Sequence, residues 1–148
     1  MRVADTHVKL LHDFLVDDPE AVSRAQDQQQ AGNLNPLAAL MEAAFGAAAR
    51  RAFAPSWTMP GVIQFAARVR IENAGMPVQF GALDAERELR RALGDRVPAP
   101  RSYEAAGAAM MCMLHVLVAD LELDDAGLAG LLAEARPEAD RILGHASS

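Results

Sequence analysis

The stretch SYEAAGAAMMCMLHVLVAD, residues 102–120, decides the fold class. Ser102 is a helix N-cap residue type, and Glu104 in the first turn suits the positive end of a helix dipole. Alanine, leucine and methionine, all strong helix formers, fill most of the remaining positions. From Ala105 to Ala119 the only polar side chain is His115. A helix that is apolar all round is either buried in protein or spans a membrane. This run is shorter than the ~20 residues a span requires. The spacing therefore predicts a buried helix over about 103–119, with amphipathic helices around it.

Helix signals continue on both sides. Upstream, Val8, Leu11, Phe14 and Leu15 lie close to one face of a first helix from about Asp5 to Val16. Asp18-Pro19-Glu20 reads as a helix restart, and Arg24 to Asn33 as a polar end or connection. Asn35-Pro36 opens a helix reaching Phe53, with apolar residues at spacings of three and four. Trp57 precedes another helix, in which Val62, Phe65, Ala66 and Val69 form a stripe and Gly75 is the expected stop. Met76 to Ala82 is the one place where a strand competes, and Pro77 with its flanking glycines favours an extended loop. Asp84 is the expected cap of a helix to Leu93, with Gly94 as a left-handed stop. Asp124-Asp125 opens the last helix, which Pro137 breaks or kinks before Leu143. The expectation is all-α: one domain over residues 1–148, a bundle of six or seven helices around the segment 103–119.

Length and composition fit this. A chain of 148 residues suits one domain and buries enough surface to hold without a disulfide or metal. The lone cysteine, Cys112, permits no internal disulfide, and a reducing cytoplasm is the expected location. The first segment carries Asp5, Lys9, His12 and Asp13 where a signal peptide needs an apolar core. Arginine in place of lysine, with an excess of alanine, is a mark of a GC-rich bacterial genome.

Charge is laid out unevenly. Residues 1–49 hold three basic and seven acidic side chains, residues 50–101 nine and five, and residues 102–148 two and eight. The basic middle could face an anion, with Arg68, Arg87, Arg90 and Arg91 the candidates. The favoured reading is that it pairs with the chain's own acids, or with those of a second copy. The net charge of −6 opposes phosphate binding, and nucleic acid is disfavoured as a partner. Glu86 and Arg90 are spaced for an i,i+4 ion pair.

The chemistry-bearing motifs fail for stated reasons. Met110, Met111, Cys112, Met113 and His115 gather soft donors, yet methionine and free cysteine are usual core fillers. His7 and His12 are five apart, off the i,i+4 spacing that aligns two ligands. The acidic run from Asp120 fails the calcium-loop template, with Asp125 at its sixth position and Leu131 at its twelfth. There is no GxSxG, HExxH or phosphate-binding glycine loop. No catalytic residue, metal ligand or cofactor is assigned.

The residues leave three readings of function. The first is a non-catalytic cytoplasmic interaction or regulatory protein that self-associates, as a homodimer or with a protein partner and away from membranes. The second is a small-molecule binder or enzyme with an apolar pocket between helices, lined by Trp57, Met59, Phe65, Phe80 and Tyr103. The third is the arginine-rich anion or nucleic-acid face within residues 50–101.

Overall fold

A computed structural model describes residues 2–16, 20, 35–75 and 80–146. The expected segments Asp18–Glu20, Arg24–Asn33 and Met76–Ala82 fall wholly or largely outside them. Among the described residues there are six helices and no strand. They are α1 (Asp5–Leu15), α2 (Pro36–Phe53), α3 (Met59–Glu72), α4 (Ala82–Ala92), α5 (Tyr103–Asp120) and α6 (Asp125–Ala146). No helix among the described residues is long and apolar enough to cross a membrane.

The starts of the helices follow local chemistry. Ala38 N–H donates to Asn35 Oδ1 at 2.9 Å, and Ala105 N–H donates to Ser102 Oγ at 3.1 Å. Gly127 N–H donates to Asp124 Oδ1 at 2.7 Å. Each bond satisfies one of the four N–H groups a helix leaves unpaired at its start. The start of α4 corrects the reading of Asp84 as the cap. Gly81 is the N-cap, and Asp84 lies inside the first turn, accepting from Gly81 N–H at 2.7 Å.

The helix ends also bring corrections. Gly94 takes the left-handed conformation expected of it, at φ 89°. Gly75, the expected stop of α3, is not its terminator. The helix ends at Glu72, and Asn73 Nδ2 donates to the Val69 carbonyl at 2.9 Å. Pro137 does not break α6, which runs on to Ala146. Both Pro137 and Ala133 are exposed, so water can reach the Ala133 carbonyl that the proline ring leaves without a donor.

The chain divides into two compact units. One comprises residues 1–44 and 122–148, the other residues 45–121. In the first, α1 lies antiparallel to α6. Val3 N–H donates to Asp140 Oδ1 at 2.8 Å, and Arg136 Nη1 donates to Asp5 Oδ1 at 2.6 Å. At the far end of α1, His12 Nε2 stands 3.7 Å from Asp125 Oδ1. Leu10, Leu11 and Leu15 are the buried side chains of α1. Val8 and Phe14, expected on that face, are half-buried.

In the second unit, α3, α4 and α5 pack on one another. The ring of Phe53, at the end of α2, meets Phe65 edge-on, with centroids 5.4 Å apart and planes at 80°. Nine residues of α5 are buried, including Cys112, Met113 and Leu117. Ala105, Gly107, Met110, Met111 and His115 are half-open. Burial therefore does not single out α5 as a centre. In α2 every residue from 43 to 49 is buried. Five of those seven are alanines, and Gly46 is another small residue.

Candidate interaction surface

Helix α3 carries apolar residues on two faces. Thr58 caps it, accepting from Gly61 N–H at 3.2 Å, and Pro60 sits in the first turn, where it costs no hydrogen bond. Val62, Phe65, Ala66 and Val69 are buried. Met59, Ile63, Ala67 and Ile71 recur every four residues and form one ridge, which turns from beside the buried stripe at Met59 to the side opposite it at Ile71. Met59 is 41%, Ile63 47% and Ile71 78% exposed. The other large exposed apolar residues, Val16, Leu83 and Tyr103, belong to other parts of the chain. Scattered apolar residues are ordinary on a protein surface, whereas Met59, Ile63 and Ile71 stand in one row of one helix.

Arginines flank this ridge. Arg68 Nη2 donates to Asp120 Oδ1 at 2.5 Å, and its Nε is 3.4 Å from Glu72 Oε1. The Asp120 carboxylate pushes the Arg68 guanidinium above its usual range. Its Cζ also lies 5.8 Å from the centre of the Phe65 ring. Arg70 is exposed and has no carboxylate within ion-pair distance among the described residues.

The candidate anion residues are mostly tied to the protein's own oxygens. Arg90 Nε donates to Asp95 Oδ2 at 2.8 Å rather than to Glu86. Arg91 pairs with Glu88 through Nη1 and donates from Nη2 to the Pro98 carbonyl at 2.6 Å. Arg87 is half-buried on the same helix. Glu88 is 6% exposed and is the one buried charged residue among those described. Its burial is not readable from the sequence, although the three-residue spacing to Arg91 signals the pair.

The candidate pocket residues do not share one environment. Phe65 and Phe80 are buried, Trp57 is half-buried, Met59 lies on the exposed ridge and Tyr103 is 79% exposed. The soft donors of α5 separate similarly. Cys112 and Met113 are buried, while Met110, Met111 and His115 are half-buried. Burial pushes the Cys112 thiol up, away from the reactive thiolate. Among the described residues no group of three or more His, Cys, Asp or Glu side chains is placed to hold a metal ion.

Ile63 and Ile71 escape a reading of the sequence because the inner stripe of α3 already accounts for the helix. Their signal is the second four-residue series, Ile63-Ala67-Ile71. No family model matches the chain, and neither a curated protein nor a solved structure matches it.

Proposed function

We propose that this protein is a non-catalytic interaction protein that self-associates, and that the outward ridge of α3 is the contact. The observation supporting this is the line of Met59, Ile63 and Ile71, exposed together on one helix. Each isoleucine contributes about 1.5–3 kcal/mol when fully buried. Association costs about 4–15 kcal/mol of lost freedom. The expected affinity is therefore modest, and self-association grows with protein concentration, with a homodimer as the first step. A reducing cytoplasm suits the single buried Cys112. The two compact units are proposed to be one cooperative domain, since α2 is a continuous helix across their boundary.

Light scattering from micromolar to millimolar protein tests the reading. The wild-type mass should rise above that of one chain. The double variant Ile63→Gln/Ile71→Gln should stay monomeric with unchanged helix content by circular dichroism. A wild-type protein that remains strictly monomeric at the highest concentration overturns the proposal.

A further inference from the structure

We infer that the surface meeting the α3 ridge is the outer face of α6 in a second copy, not a second α3 ridge. This rests on the self-association proposed above and names its partner surface. Charge argues first. The unit that carries α3 holds nine arginines against seven acids, while the unit that carries α6 holds five basic side chains against thirteen acids. A ridge-on-ridge pairing sets two net-positive units together. In an antiparallel pair, whose two-fold axis crosses the helices, it also brings both Arg70 side chains to one edge. A ridge-on-α6 pairing joins opposite charges, which steers association and selects the partner face.

Shape argues the same way. The outward line of α6 is Ala126, Gly130, Ala133 and Pro137, all exposed. A side chain at Gly130 would meet nothing within 4 Å. Small residues there leave a shallow track between the helix flanks, and the Ile63 and Ile71 side chains stand up as a ridge. Ridges seat in such grooves when helices pack. The contact is heterologous, because each copy offers a different face to each neighbour. The wild type therefore adds copies with rising concentration and does not level off at two unless a ring closes.

Complementation between two variants tests this. One variant carries Ile63→Gln/Ile71→Gln and keeps its α6 face. The other carries Gly130→Gln/Ala133→Gln and keeps its ridge. All four positions are exposed on helices, and glutamine is a good helix former that adds no charge. Each variant alone should bind itself at least about tenfold more weakly than the wild type does, as a loss of over one decade in affinity. A one-to-one mixture should form a species of two chains and stop there. Wild-type association should also weaken as salt rises. If the α6 variant alone self-associates like the wild type, ridge meets ridge and this inference fails while self-association stands. If the wild type itself never associates, both fail. Circular dichroism on each variant separates lost contact from lost fold. A variant that unfolds is replaced by its single substitution, Ile71→Gln or Ala133→Gln, read in the same mixture.

Discussion

Glu88 lies buried on α4 and is held by the Arg91 guanidinium one turn further along the helix. Arg91 in turn reaches out to the Pro98 carbonyl, so one arginine ties a buried acid to the connector after α4. Removing one member of such a pair leaves the other without its partner, and that is costlier than the pair is worth. Arg91 is partly exposed, which moderates the penalty. Glu88→Ala should therefore lower stability by about 1–3 kcal/mol, read as a shifted midpoint in urea unfolding. The double change Glu88→Leu/Arg91→Met should recover much of that loss, because two well-packed apolar side chains replace the pair. A double variant no better than the single one would show that the pair holds the connector by a bond that packing cannot replace.

Val3 is tied to α6 through the Asp140 carboxylate and the Arg136 guanidinium. Val3 is buried, and its N–H donates to Asp140 Oδ1. Arg136 Nη2 donates to the Val3 carbonyl at 2.9 Å. Asp140→Ala leaves the Val3 N–H without its acceptor and should cost about 1 kcal/mol. Hydrogen exchange should show the Val3 amide becoming markedly less protected, with the amides of α5 unchanged.

Asp13 sets an acid-side dependence for α1. Its carboxyl is held below the usual aspartate range, first by the Lys9 ammonium at 2.8 Å and then by His12 at 3.3 Å. A carboxyl lowered in the folded state favours folding above its unfolded value, which is about pH 3.9. That contribution disappears as pH falls through the lower folded value. Lys9 is largely exposed, so the effect is small, below about 1 kcal/mol. Asp13→Asn should flatten the fall in stability below about pH 4, with a modest offset at neutral pH. An acid limb identical in the two proteins would show that the pairing contributes nothing in solution.

Cys112 should react poorly while the protein is folded. It is buried, and desolvation disfavours its thiolate. A thiol-specific reagent at neutral pH should modify the native protein at least about tenfold more slowly than the protein in urea, since both access and thiolate fraction are lost. Equal rates in the two states would contradict its burial.

Local chemistry was legible. The caps at Asn35, Ser102 and Asp124 involve residues three apart, and the turn at Gly94 needs only a residue that tolerates positive φ. The helical content and the burial of Cys112 and Met113 reflect short-range patterning and apolar character. The long-range partners of the charged groups were not legible. Arg68 and Asp120 are 52 residues apart, and Val3 and Asp140 are 137 apart. Nothing in the spacing of either residue names the other. Glu86 and Glu88 look equivalent as helix acids, yet only Glu88 faces inward.

The sequence alone determined that this chain is helical, where most of its helices begin, and that no familiar catalytic or metal motif stands in it. Those properties depend on a few neighbouring residues and on the 3.6-residue period. The tertiary structure decided which apolar stripe of α3 is covered and which is left open. It also decided which arginines are already bound and how fully α2 is enclosed relative to α5. A helix with two apolar stripes can bury either one, and only the neighbours that pack against it make the choice.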